Sequence, residues 1–401
     1  MKDKDLPWNI FMWIILLDML MSLDVWFFWG VNRVIFSIVA SVYCFLYSIT
    51  NQRIFSSLNN KLLIGYLFLF LAYCLSRSTM NLFGWIGSLI QFVPPFFVVL
   101  LTKERAQVFF RFFKNCLSYL LCLSLFCWVL FLLGLPLPHT QISFGEYEGF
   151  ARYYYDNYYL FLLNRDSYRD LILPRFSSVF TEPGFLGCLL AVLLFSEGFV
   201  LKNNRHNIVF LVSLFFTFSL AGWLIGLIGF MFNRLKPSVQ SFFIIGCSII
   251  AFFLLYSFAS SYKGGNNVLY NYFFSRLEYD NTRKTIQGYN RNAAAVDDYF
   301  DVFIRSDYLW FGEGVESGNV DLNNSVDWKA FMIKYGLLSS LLVLLWYIWP
   351  FLSTRYKKFH LLGVTLVFLL IAMQTSYGIF SCMYISLFAL SVKGVGNTVS
   401  A

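Results

Sequence analysis

The residues of this chain best suited to chemistry are charged groups set at the edges of apolar runs. Foremost is Arg175-Phe-Ser-Ser-Val-Phe-Thr-Glu182-Pro183-Gly184, which places an arginine and a carboxylate seven residues apart where a polar loop meets an apolar segment. A charge at a lipid boundary is costly unless it has a partner or a task. The Pro-Gly pair favours a tight turn or a helix start. A helix starting there would add free N–H groups, a positive end for an anion. An anion with a lipid tail is the first substrate class this stretch suggests.

Two polar segments hold the other candidates. The first contains Tyr147, Arg152, Tyr153, Tyr154, Tyr155, Tyr158, Tyr159, Arg165, Tyr168, Arg169 and Arg175. Clustered tyrosines present flat apolar faces and hydroxyls, which suit sugar rings, and they are equally ordinary residues of an aromatic belt. The arginines here could bind substrate or pair with Asp156, Asp166 and Asp170. The second segment carries Arg283, Lys284, Tyr289, Arg291, Asp297, Asp298, Asp301, Arg305, Glu313, Asp321, Asn323, Asn324 and Asp327. Arginines at such junctions can grip a diphosphate bidentately, and a nearby carboxylate could take a proton from an attacking hydroxyl. Asp297, Asp298 and Asp301 also fit a solvated helix face, and Asp327 fits the N-cap of the next helix.

The elements that must position these groups follow from composition. The chain has 401 residues, of which 58% are hydrophobic, 21% aromatic and only 13% charged. Repeated apolar stretches of roughly 17–25 residues indicate a polytopic helical membrane protein. The runs are 8–28, 31–50, 61–76, 84–101, 115–135, 178–200, 207–232, 240–259, 328–351, 359–375 and 377–392. The first run lacks a small-residue cleavage site and more runs follow it, so no cleavable signal peptide is expected. The net charge of +8 is no sign of nucleic-acid binding, because the bases sit mostly in short loops, as the positive-inside rule predicts.

Those bases place both termini and the short loops in the cytoplasm, and residues 136–177 and 260–327 on the far side. If 207–232 spans once, the Asn233–Pro237 loop lies outside and the later assignments invert. The better solution breaks it into two short half-helices near Thr217-Phe-Ser219-Leu-Ala-Gly222, where Ser, Thr and neighbouring protein can satisfy the interrupted backbone. The expected organisation is a transmembrane bundle at 1–135, a loop at 136–177, central transmembrane helices at 178–259, a second loop at 260–327 and C-terminal helices at 328–401. All eight cysteines fall within apolar segments without metal-ligand spacing, and there are three histidines, so neither a disulfide nor a metal site is expected.

The order of these features resembles the Wzy-type O-antigen polymerases and their O-antigen ligase relatives. The resemblance rests on the Arg-Phe-Ser…Glu-Pro-Gly edge, the Thr217-x-Ser219 break, Arg291, the Leu-Trp-Phe-Gly312-Glu-Gly314 turn and the closing Tyr335-Gly336-Leu-Leu. It covers 170–340 in motif detail and the whole chain in topology.

It implies an all-α polytopic protein of the GT-C type with about 11–12 transmembrane helices in the bacterial inner membrane, active at the periplasmic face. The implied reaction joins oligosaccharide repeat units carried on undecaprenyl diphosphate, with no metal or other cofactor. The implied partners are the lipid-linked donor and acceptor, membrane lipid, a Wzz-type chain-length regulator and a Wzx-type flippase. Arg175 and Arg291 match the family's loop arginines and are the implied diphosphate contacts. Arg305, Arg169, Tyr289, Asn324 and Tyr154 are further substrate-binding candidates.

The chain departs from the family's pattern twice. Leu220 follows Ser219 where an arginine is common, and Asn323-Asn324 stands near where a His-Asn pair is common. The second departure moves the expected base to Asp327 or Glu182, and it weighs against the ligase reading. A lipid-linked oligosaccharide flippase is the alternative from another class. Transport would call for ionisable groups at mid-membrane and repeated halves, whereas Asp18 and Asp24 lie at the outer end of the first apolar run and no internal repeat is evident.

Overall fold

The structure, a computed structural model, describes residues 6–55, 61–76, 82–144, 153–165, 173–234, 239–281, 285–286, 294–314, 327–353, 358–374 and 379–394. Arg169, Tyr289, Arg291 and Asn324 lie outside the described residues. The chain is mostly helical, and a helix occupies every apolar run named above. Among the described residues three helices, Arg33–Thr50, Lys103–Leu132 and Trp328–Leu352, are long and apolar enough to cross a membrane. Val239–Ser261 is 23 residues long and also rich in apolar residues, and several other apolar helices are shorter.

Two runs hold helix pairs rather than single helices. Run 84–101 divides into Leu82–Ile90 and Val93–Leu100, because Pro94 and Pro95 are tolerated only in the first turn of the second helix. Run 207–232 divides into α8 (Arg205–Phe216) and α9 (Leu220–Arg234). The break falls at the Thr-Phe-Ser sequence expected to carry it. At 1.5 Å per residue these helices are only about 18 and 22 Å long, each short of a bilayer core of about 30 Å.

The chain forms two compact units, residues 1–117 with 291–401, and residues 118–290. Contacts thus gather the N-terminal and C-terminal helices into one unit, while the first polar segment folds with the central helices.

In the first unit, helix Lys61–Ser76 packs along α12 (Trp328–Ser353). Gly65 lets the buried Trp346 ring approach, since a Cβ there would lie 3.0 Å from Trp346 Cε3. Ser339 Oγ donates to Ala72 O at 3.2 Å. Asp18, the acid a transport reading would use, is buried and accepts a hydrogen bond from Ser37 Oγ at 3.1 Å.

In the second unit the central element is α7 (Pro183–Ser196), buried along its whole length from Leu186 to Phe195. A helix apolar all round must be enclosed on every side. Its small residues meet those of α9: Gly187 faces Gly222, Ala191 lies near Gly226, and Phe195 covers Gly229. Small residues at such spacing let two helix backbones approach closely.

Among the described residues, the polar segments also hold five short strands. In the first segment β1 (Thr140–Phe144), β2 (Tyr153–Asn157) and β3 (Leu162–Asn164) form an antiparallel sheet in that order. Strands β4 (Tyr279–Asp280) and β5 (Thr285–Ile286) pair in the second.

A Cβ on Gly222 would sit 2.8 Å from the Gly187 backbone. Gly222→Ala is therefore expected to force α7 and α9 apart at a cost of about 1–3 kcal/mol. The check is a lowered thermal midpoint of the detergent-solubilised protein, with Gly246→Ala, where a Cβ meets open space, as the unaffected control.

Candidate functional site

Arg175 sits at the break between α8 and α9. Its Nε donates to Thr217 O at 3.0 Å, and the next residue repeats the link, with Phe176 N donating to Phe216 O at 2.9 Å. These carbonyls lie at the C-terminal end of α8, where helix geometry leaves acceptors without partners and the dipole favours a cation.

The turn itself is satisfied from within. Thr217 Oγ1 donates to Leu214 O at 2.7 Å and accepts from Ser219 N at 3.2 Å. Ser219 Oγ accepts from Gly222 N at 3.2 Å, and Trp223 Nε1 donates to Leu214 O at 2.9 Å. Phe218 takes a left-handed φ of 44° between them. The Thr-x-Ser pattern is thus two hydroxyls that cap a broken helix in buried surroundings.

The arginine edge is packed as tightly as the break. Phe176, Val179 and Phe180 are buried, and Phe176 and Phe216 both contact the Trp128 ring. Tyr272 Oη hydrogen-bonds Leu173, and its ring stacks on Phe218 at 4.7 Å. Burial pushes the Tyr272 phenol above its ordinary value, against the opposing pull of its Leu173 hydrogen bond and of the Arg175 and Arg276 charges. It therefore remains a neutral group at physiological pH.

Glu182 is the N-cap residue of α7, with extended φ/ψ of −129° and 136° and no side-chain cap hydrogen bond. The Pro-Gly pair thus begins the helix, and the carboxylate is exposed at its positive end.

The second group of motifs closes on itself in the first unit. The turn Trp310–Gly314 lies across a kink in α12 at Gly336. Leu338 N donates to Trp310 O at 3.1 Å, Glu313 N to Ile333 O at 2.9 Å and Gly314 N to Lys334 O at 3.1 Å. Gly312 and Gly336 have φ of 75° and 78°. A Cβ on Gly312 would lie 2.5 Å from Lys334 O. Only glycine meets both the positive φ and the close approach. The Gly-Glu-Gly turn and the Tyr-Gly junction therefore form one device. Glu313 also accepts from Tyr299 Oη.

Asp327 is fully buried and caps α12, with Oδ1 accepting from Ala330 N at 3.0 Å. Asp297 pairs with Lys329 at 2.6 Å on the short helix Ala294–Phe303. Arg305 and Tyr154 are exposed. Among the described residues no group of histidine, cysteine and carboxylate side chains could hold a metal ion.

The chain matches no protein-family model, no curated protein and no solved structure.

The tertiary structure joins Arg175 to Thr217, a partner that sequence reasoning did not name. Tyr272 and Trp223 were absent from that reasoning, because nothing near them in sequence marks them as partners of the break. Asp327→Asn keeps an N-capping oxygen and Asp327→Ala does not. The alanine variant is expected to lose about 1 kcal/mol or more of stability, with the asparagine variant close to wild type in thermal unfolding.

Proposed function

We propose that the protein is an O-antigen polymerase of the Wzy type, joining undecaprenyl-diphosphate-linked oligosaccharide repeat units at the periplasmic face of the bacterial inner membrane. The observation that carries the reading is the seating of Arg175 on the broken helix at Thr217. Two short motifs 42 residues apart, each part of the resemblance, form one hydrogen-bonded unit. The union of the Gly312 turn with the Gly336 kink supports it in the same way.

In the proposed reaction an acceptor sugar hydroxyl attacks the anomeric carbon of the donor glycan. The new glycosidic C–O bond forms as the bond to undecaprenyl diphosphate breaks, and the hydroxyl proton passes to a carboxylate. Arg175 stabilises the negative charge gathering on the leaving diphosphate, its guanidinium plane held by the Thr217 carbonyl. Arg291 shares this task by resemblance.

Of the two carboxylates, Glu182 is the exposed one, and a base must come within hydrogen-bond reach of the hydroxyl it deprotonates. Asp327 is enclosed and occupied with its helix, so Glu182 takes the proton and Asp327 positions α12.

The test is the purified protein in lipid vesicles with undecaprenyl-diphosphate repeat units. Longer glycans on the carrier are expected, and they should disappear in Arg175→Ala and fall by about tenfold or more in Arg175→Lys, which cannot form the bidentate contact. An unchanged thermal midpoint in Arg175→Lys separates catalysis from folding. Glycan moved to lipid A core would make the protein a ligase. Passage across the bilayer with no new glycosidic bond would make it a flippase.

A further inference from the structure

The three-stranded sheet β1–β3 has one face, open to solvent at Gln141 and Tyr154, that the proposed chemistry does not use. Cross-strand partners share a face, and the register pairs Ser143 with Tyr154 and Gln141 with Asp156. On the other flank Leu163 pairs with Asp156. Arg165, two residues on from Leu163, returns to the same face, as its 2.8 Å ion pair with Asp156 requires.

One face therefore presents, side by side, the Gln141 amide, the Ser143 hydroxyl, the Tyr154 ring and the Arg165 guanidinium. Gln141 and Tyr154 are exposed and Ser143 and Arg165 half-buried, while Asp156 and Leu163 on the same face are buried. Tyr154 is 46% exposed, and its ring stacks on no other ring among the described residues. An aromatic ring held open to solvent in a strand is a different object from one folded into a core. The neighbouring Tyr155 is 3% exposed.

The platform is rigid and is tied to the reacting end of the unit. Ser177 Oγ donates to Leu162 O at 2.9 Å, and Leu162 N donates to Ser178 O at 2.9 Å. The sheet is thus bonded directly to the segment that begins at Arg175. The β2–β3 turn is stiffened as well. Tyr158 N donates to Phe161 O at 3.0 Å, the Tyr158 and Phe161 rings stack at 4.6 Å, and His139 stacks on Tyr158 at 5.0 Å.

We propose that this face is a glycan-binding platform: the Tyr154 ring carries the C–H face of a sugar, while Gln141, Ser143 and Arg165 hydrogen-bond its hydroxyls. The occupant follows from the chemistry of the face. An aromatic ring offers a negative π surface to the positive C–H edges of a pyranose. The amide, hydroxyl and guanidinium around it supply donors, and the amide and hydroxyl oxygens also accept, matching hydroxyls that do both. An apolar peptide would waste those polar groups. A phosphate would find Arg165 already bonded to Asp156 and no second cation on the face among the described residues.

That the occupant is a segment of the growing oligosaccharide rests on the polymerase reading. A single tyrosine platform binds weakly. Its value is to hold a chain already tethered at its carrier, where effective concentration multiplies a weak contact.

The experiment uses the full-length protein in nanodiscs on an array of carrier-free bacterial O-polysaccharide fragments of one to four repeat units, with lipid-linked polymerisation followed in parallel. The wild type is expected to bind at least one fragment, more tightly as repeat units are added. Tyr154→Ala should weaken that binding by about tenfold, and Tyr154→Phe, which keeps the ring, should stay close to wild type. Gln141→Ala should fall between them. Absence of binding to every fragment, or binding by Tyr154→Ala equal to wild type, overturns the platform even if polymerisation proceeds. Glycan binding lost with Tyr154→Ala in a protein that forms no polymer keeps the platform and rejects the polymerase reading.

Discussion

The constraint on which the central unit depends is that a helix broken in apolar surroundings must have its backbone satisfied by protein. Between Phe216 and Leu220 the helical ladder stops, and water cannot supply partners there. Thr217 and Ser219 use their hydroxyls, Trp223 its indole N–H and Arg175 its guanidinium. The same need explains why the two helices flanking the break are short and why α9 is lined with glycines. Close approach of α9 to α7 brings Ser219 and Gly222 against Gly187, and the packed helices enclose the turn that the hydroxyls satisfy.

From that arrangement the position of the charge follows. The C-terminal end of α8 is an electron-rich patch of carbonyls, and a cation near it has its cost of burial offset. Arg175 is thereby held in one orientation by the Thr217 carbonyl. Phe218 and Tyr272 cover the turn from one side, while Phe176, Phe216 and Trp128 form an aromatic cluster at its base. The device in the other unit obeys a different rule. There two backbone segments cross so closely that both crossing points must be glycine, at Gly312 and Gly336. A kinked helix start is the result, with Asp327 as its cap.

Much of the helical framework was legible because lipid-facing and core-facing helices both require long apolar runs, and such runs are visible without any knowledge of contacts. Basic loops supplied a parity argument that located the break in 207–232. The strands were not legible. Each is five residues or fewer, and the tyrosine-rich run around Tyr154 reads equally as an aromatic belt. Asp327 shows the limit for single residues: base and helix cap call for the same side chain at the same position, and only burial and the Ala330 hydrogen bond distinguish them.

Sequence alone determined the apolar runs that become helices, the point at which one of them breaks and the residue types placed at each apolar edge, because apolar periodicity and backbone satisfaction are local demands. Tertiary structure alone decided which edges meet: Arg175 with Thr217 across 42 residues, Gly312 with Gly336, and Tyr154 on the open face of a sheet. The physical reason is that hydrogen bonds and close backbone approaches between distant segments depend on how helices pack. Packing is set by the joint fit of many side chains, and no single stretch of sequence carries it.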